Sequence, residues 1–242
     1  NLFAIDKQRG LKKWEYQGGK IINTTIAIGG GRVYFVEAIS SSLRNQPTSR
    51  IASSSLWASL RLVALNQQTG AKVWSKSINI DKSTYPVVFF LAYAKSRLVL
   101  SYTTNRYYVD AYSSTSGTKV WSKNHSWNRD HHGGHMYHPL IVGDAVIVEP
   151  FGYKLSNGVV VHRGLPARGG CSTMSASKNT VHYINWDYDK GSMYFWDLDD
   201  NRRRLMVGSR SSCWLSLISG NGMILSPTAS SGCRCRYPIQ TS

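Results

Sequence analysis

Apolar residues along this chain cluster in short blocks instead of recurring at helical spacing. Arg32-Val33-Tyr34-Phe35-Val36-Glu37, Arg97-Leu98-Val99-Leu100-Ser101-Tyr102, Ala145-Val146-Ile147-Val148-Glu149 and Thr180-Val181-His182-Tyr183-Ile184-Asn185 are rich in β-branched and aromatic side chains. Several open after Gly-Gly, Gly-Asp or Lys-Asn, which are turn signals, so each predicts a strand. No stretch has the period of a convincing amphipathic helix. The longest apolar run, Val87 to Ala94, is strand-sized and far short of the ~20 residues that span a bilayer.

A second pattern follows each strand block. Ala4-Ile5-Asp6-Lys7-Gln8-Arg9-Gly10 leads to Trp14, Ala64-Leu65-Asn66-Gln67-Gln68-Thr69-Gly70 to Trp74, and Ala111-Tyr112-Ser113-Ser114-Thr115-Ser116-Gly117 to Trp121, all without gaps. Two weaker copies follow. Gly152-Tyr153-Lys154 leads to Gly158, with His162 at the tryptophan position. Phe195-Trp196-Asp197 leads to Asn201, with Leu205 at that position. The copies start at residues 4, 64, 111, 152 and 195, at intervals of 60, 47, 41 and 43.

Physically, each copy is a β-hairpin. An apolar residue ends one strand, the polar residue and the glycine make a tight turn, and the outgoing strand carries the indole. Such a ring can bury roughly 150–250 Å², more than one hairpin can cover, so neighbouring copies must stack. With the upstream strands there are four per unit. The expectation is an all-β fold: a β-propeller of four-stranded blades, with about five blades visible in a single domain over residues 1–242. Residues 40–59, rich in Ser and Arg, read as a surface insertion between blade strands. Residues 1–16 resemble the last two strands of a blade, and residues 213–226 the first two strands of another. Because the chain starts at Asn1, without Met and inside a repeat, it is expected to be N-terminally incomplete, part of a longer exported precursor.

Composition refines this picture. With 42% hydrophobic and 17% charged residues the chain has the balance of a folded domain. Twenty-nine Lys and Arg against 13 Asp and Glu give a net charge of +16, which favours acidic partners. The charge is dispersed; Arg202-Arg203-Arg204 and the pair Arg234 and Arg236 are its densest groups. The four cysteines, Cys171, Cys213, Cys233 and Cys235, are even in number. One or two disulfides in an oxidising compartment are the simplest account, with the pairing open and zinc as the rival.

The motif A-x-[DNS]-x-x-x-G-x-x-x-W at Ala4–Trp14, Ala64–Trp74 and Ala111–Trp121 resembles the repeat of pyrroloquinoline-quinone (PQQ) propellers. That family includes quinoprotein alcohol dehydrogenases and non-catalytic propellers of outer-membrane assembly. The resemblance implies a larger propeller of about seven to eight blades. The segments around Cys171, Cys213 and Ser231 to Ser242 resemble the ending of PQQ-like repeat proteins of planctomycete-type bacteria. A working quinoprotein, as the resemblance implies, holds PQQ over a disulfide between adjacent cysteines, with calcium on Glu and Asn and an Asp as base. This chain has no Cys-Cys pair, because Arg234 separates Cys233 from Cys235.

The most unusual local feature is Asp130-His131-His132-Gly133-Gly134-His135-Met136-Tyr137-His138, which holds four of the seven histidines. Imidazole suits Zn, Cu, Fe or Ni, and the glycine pair lets the loop curl, so His131, His132, His135 and His138 are candidate metal ligands. The alternative is a polar loop leading into a strand. No zincin motif, nucleophile elbow or phosphate loop occurs. The functional expectation is a non-catalytic exported propeller, periplasmic or associated with a bacterial cell envelope, binding a protein or an anionic polysaccharide or lipid. The alternative is a PQQ- or metal-dependent oxidoreductase; nucleic-acid binding is a weaker third idea.

Overall fold

The structure is a computed structural model. It describes residues 1–43, 54–82, 86, 88–126, 138–165, 174–185, 192–206 and 217–226. The chain divides into two compact units, residues 1–126 and 127–242.

The first unit holds three antiparallel sheets. Strands β1 (Leu2–Ile5) and β2 (Lys12–Tyr16) form a two-stranded sheet. In the second, β3 (Lys20–Ile21) and β4 (Ala27–Gly29) both pair with β5 (Arg32–Ala38), which is followed by β6 (Leu60–Asn66) and β7 (Lys72–Ile78). The third runs in simple order through β8 (Val88–Ala94), β9 (Arg97–Thr103), β10 (Arg106–Ser113) and β11 (Lys119–Ser126). The second unit has two four-stranded sheets in the same up-and-down order. One comprises β12 (Leu140–Val142), β13 (Ala145–Val148), β14 (Phe151–Lys154) and β15 (Val160–Arg163). The other comprises β16 (Ser175–Ala176), β17 (Thr180–Asn185), β18 (Ser192–Asp197) and β19 (Arg202–Met206). Strands β20 (Ile218–Gly220) and β21 (Met223–Leu225) form a two-stranded sheet.

Stacking explains why the middle strands read as continuous apolar runs. Pairing sets Val33 opposite Leu65 and Phe35 opposite Val63, and their alternates Tyr34 opposite Ala64 and Val36 opposite Leu62. Side chains alternate faces along a strand. Val33, Phe35, Val63 and Leu65 therefore share one face and pack with Leu2, Trp14 and Tyr16 of the preceding sheet. Tyr34, Val36, Leu62 and Ala64 pack with Leu98, Leu100 and Tyr112 of the next. A sheet covered on both faces has no polar side to show, so its sequence loses the alternation of a half-exposed strand. The outer strands, which face solvent, keep it.

The five repeat turns share one backbone solution. Gly10, Gly70, Gly117 and Gly158 have φ between 69° and 72°, and Asn201 has φ 57°. Asparagine is among the few residues that enter this region readily, which is why it substitutes for glycine in the fifth copy. The polar residue that opens the turn caps it. Asp6 Oδ1 accepts from the Gln8 and Arg9 amides at 3.0 and 2.9 Å, and Asn66 Oδ1 from Gln68 and Thr69 at 2.9 and 3.0 Å. A bulge then sets Ala4 opposite Trp14, Ala64 opposite Trp74, Ala111 opposite Trp121 and Gly152 opposite His162.

Two expectations need adjustment. The fifth hairpin has no such bulge, so Leu205 pairs with Tyr194 and not with Phe195, and the spacing match to the tryptophan position fails by one residue. The ends of the insertion are anchored in the core. Leu43 is fully buried, and Trp57, on a four-residue helix Ser55–Ala58, meets Phe89 at 5.2 Å between ring centroids.

Candidate functional site

Two repeat tryptophans of the first unit, Trp14 and Trp74, dock on the next repeat's turn. Trp14 Nε1 donates to the Gln67 carbonyl at 3.0 Å, and Trp74 Nε1 to the Ser114 carbonyl at 3.1 Å. The rings lie against Gly70 and Gly117. This docking positions the outer strands: a residue two after an indole shares its face, whereas the bulge puts the residue two before it on the opposite face. Lys76 and Lys123 thus lie on the faces of Trp74 and Trp121, while Lys72, opposite Leu65, and Lys119, opposite Tyr112, lie on the other faces. Lys12 precedes Trp14 by the same interval.

Cations thus line the outermost strand of every sheet with a complete repeat hairpin: Lys12 and Lys13, Lys72 and Lys76, Lys119 and Lys123, Arg163, and Arg202 to Arg204. Some are neutralised locally. Lys12 bonds Glu15 at 2.6 Å, Lys13 meets Asp6 at 3.1 Å, and Arg204 bonds Asp197 at 3.1 Å and Asp200 at 2.5 Å. Lys72, Lys76 and Lys123 make no ion pair among the described residues. Surface pairs of this kind stabilise little, so the outer strands matter more for the field they project than for folding.

Three carboxylates are buried among the described residues, Glu37, Asp110 and Glu149, and the first two are bonded by their own sheets. Glu37, fully buried on β5, accepts from Tyr16 Oη at 3.1 Å, from the Gly19 amide at 2.7 Å and from Arg61 Nη2 at 3.0 Å. A cavity of about 370 Å³ adjoins this cluster, lined by Gly18, Gly19, Lys20, Ser40, Leu43 and Arg61 among others. Asp110, 1% exposed on β10, accepts from Lys119 Nζ at 2.8 Å, Ser122 Oγ at 2.6 Å and Tyr112 Oη at 3.2 Å. Both acids are held by their own fold. They do not present the open oxygens that a calcium ion beside a quinone requires.

Burial first, and the Glu37 charge second, push the Tyr16 phenol up to about 12. Burial raises Tyr153 to about 12 and lifts Tyr102 and Tyr112 as well. The unfolded chain loses these protons near pH 10, whereas the folded chain keeps them, so stability falls as pH rises from about 10 towards 12. Thermal melts across that range should show this decline, and Tyr16→Phe should lessen it. A flat profile would contradict the assignment.

Of the candidate ligands, His131, His132 and His135 lie outside the described residues, as do Cys171, Cys213, Cys233 and Cys235. His138 is described, and burial holds its imidazole below the ordinary value. Among the described residues no group of three or more His, Cys, Asp or Glu is placed to hold a metal ion. A histidine outside that cluster is better organised. His182, 4% exposed on β17, has Nδ1 2.8 Å from Ser219 Oγ and Nε2 3.0 Å from Thr180 Oγ1, and Ser219 Oγ lies 3.2 Å from Ser175 Oγ. This chain of hydroxyls ties β20 to the sheet of β16 and β17. Its sequence signal was faint: a single polar residue among the apolar neighbours Val181 and Tyr183.

Stacked four-stranded antiparallel sheets, each meandering outward before the chain passes to the next, define a β-propeller. The alignment with BamB agrees with this, and two further solved structures align in part. BamB from Moraxella catarrhalis aligns over 86% of this chain and 59% of its own, with a TM-score of 0.57 and 14% identity. The rhamnogalacturonan lyase YesW aligns over 83% and 43%, with a TM-score of 0.50 and 13% identity. A europium-containing methanol dehydrogenase aligns over 85% and 47%, at 0.49 and 12%. The chain spans less than two thirds of each of these proteins. No family model matches the sequence, and no curated protein does. No helix among the described residues is long and apolar enough to cross a membrane.

Proposed function

We propose that this chain, read over residues 1–242 as one PQQ-like propeller domain, is a non-catalytic exported binding module for an anionic ligand or acidic protein surface of the cell envelope. The observation that carries this reading is the recurrence of exposed cations on the outer strands, with Lys72, Lys76 and Lys123 left without an acidic partner among the described residues. Within residues 1–126 the stacked sheets hold Lys72, Lys76 and Lys123 at fixed separations, so a partner meets several charges without ordering the chain first. The likeness to BamB supports a propeller scaffold and does not specify a partner.

Binding of the chain to anionic vesicles, acidic glycans and isolated envelope proteins, measured by interferometry, tests the reading. Affinity for at least one anionic probe should be measurable at about 10 mM salt and should fall steeply by about 150 mM, as the screening length shrinks from ~30 to ~8 Å. Absence of binding at the lower salt would refute it.

A further inference from the structure

A second cavity, of about 360 Å³, opens between β7 and the β10–β11 turn. Its polar lining is Lys76, Ser77, Asn79, Tyr112, Thr118 and Lys119. Two features distinguish it from a generic basic surface. Lys119 is clamped, because its Nζ bonds the buried Asp110 at 2.8 Å and sits 5.5 Å from the Tyr112 ring centroid. One N–H of that ammonium is used by Asp110, which leaves its others to face the cleft. On the opposite wall, Lys76 makes no ion pair among the described residues, and its stem lies against Gly117, where a Cβ would come 2.8 Å from Lys76 Cγ. The cleft therefore presents one fixed and one adjustable cation. Asp110 offsets only one of them, and Ser77, Asn79 and Thr118 add neutral donors and acceptors.

We propose that this cleft binds one residue of an acidic polysaccharide of the uronate class. The proposal rests on the anionic-ligand reading above and names the ligand and its place. A sugar ring bearing one carboxylate and several hydroxyls matches two ammonium groups beside a hydroxyl- and amide-rich wall. The volume lies at the lower end of small-ligand sites, which suits a single ring of a longer chain. Single-stranded nucleic acid is disfavoured because its recognition uses exposed aromatic platforms, and Tyr112 is only 2% exposed. The same clamp, Lys on a buried acid, is absent from the equivalent place one repeat earlier, where Leu65 stands for Tyr112 and Lys72 for Lys119.

Calorimetric titration of the whole chain with an oligogalacturonate tests this, with its methyl ester and a single-stranded DNA of equal charge as comparators. The acid form should bind, and the ester and the DNA should bind at least about tenfold more weakly. Lys76→Glu should weaken oligogalacturonate binding roughly tenfold or more, and Asn79→Ala severalfold. Lys7→Glu makes the same charge change in the first hairpin turn, outside the cleft, and should cost no more than about twofold. Circular dichroism and melting of each variant confirm folding; Asn79→Ala, an exposed neutral change, provides the reading should Lys76→Glu misfold. Equal losses from Lys7→Glu and Lys76→Glu, with binding to anions retained, would overturn the cleft and leave the broader function standing. Equal affinity for the ester or the DNA would overturn the uronate assignment. No binding to any anionic probe at low salt would overturn both.

Discussion

Replacing Gly117 by alanine should destabilise the first unit by about 3 kcal/mol, whereas Gly10→Ala should cost only about 1–2 kcal/mol. Both glycines adopt nearly the same left-handed conformation, with φ of 72° and 69°. The backbone penalty of a Cβ there is therefore common to both. The surroundings differ. A Cβ on Gly117 would come 2.7 Å from the Trp74 ring, while one on Gly10 meets nothing within 4 Å. The excess thus reports the indole of one repeat pressed on the turn of the next. Gly70→Ala should behave like Gly117→Ala, since its Cβ would come 2.7 Å from Trp14. Urea unfolding midpoints of the three variants provide the comparison. Equal losses at all three positions would mean that the tryptophans do not hold the repeats together.

Arg61→Ala should be of similar or larger effect, roughly 3–5 kcal/mol, because it leaves Glu37 charged and buried with one partner fewer. Tyr16 and the Gly19 amide still donate to that carboxylate, but neither carries a compensating charge. Glu37→Ala alone orphans the Gly19 N–H and frees Arg61, which is 34% exposed and reaches water. The double substitution removes both members of the pair, so it should cost less than the sum of the single changes. Denaturant titration of all four proteins measures that difference. Strict additivity would show that the ion pair does not hold Glu37 in the sheet.

The fold was legible from the chain because its signals are local and repeated. Strands expected at 32–37, 97–102 and 180–185 are found at Arg32–Ala38, Arg97–Thr103 and Thr180–Asn185. The positive φ shared by Gly10, Gly70, Gly117, Gly158 and Asn201 is a property of the turn alone, so spacing revealed it. What spacing could not reveal depends on partners far along the chain. The bulge that sets alanine opposite tryptophan is missing from the last hairpin, and only pairing shows that Leu205 faces Tyr194. Glu37 and Asp110 stand in the sequence as ordinary acids within strands. Their burial follows from sheets on both sides, and their partners Arg61 and Lys119 lie 24 and 9 residues away. The candidate site divides along the same line. The basic excess was readable from composition, but its concentration on outer strands, and the cleft between two of them, depend on how one repeat leans on the next.

That leaning has a direction. Within residues 1–126 the Trp14 and Trp74 indoles each bond forward, from an earlier repeat to a later one: Trp14 to the turn at 66–70 and Trp74 to the turn at 113–117. Each module is thus a lid for its successor and leaves its own turn to be covered by its predecessor. Duplicating or excising a whole module between two tryptophan-bearing ones would regenerate an identical seam, so such arrays can grow or shrink by recombination without redesign. A cut through residues 1–16 has no such remedy: the damage would surface some fifty residues downstream, as an uncovered turn in a segment whose own sequence is intact.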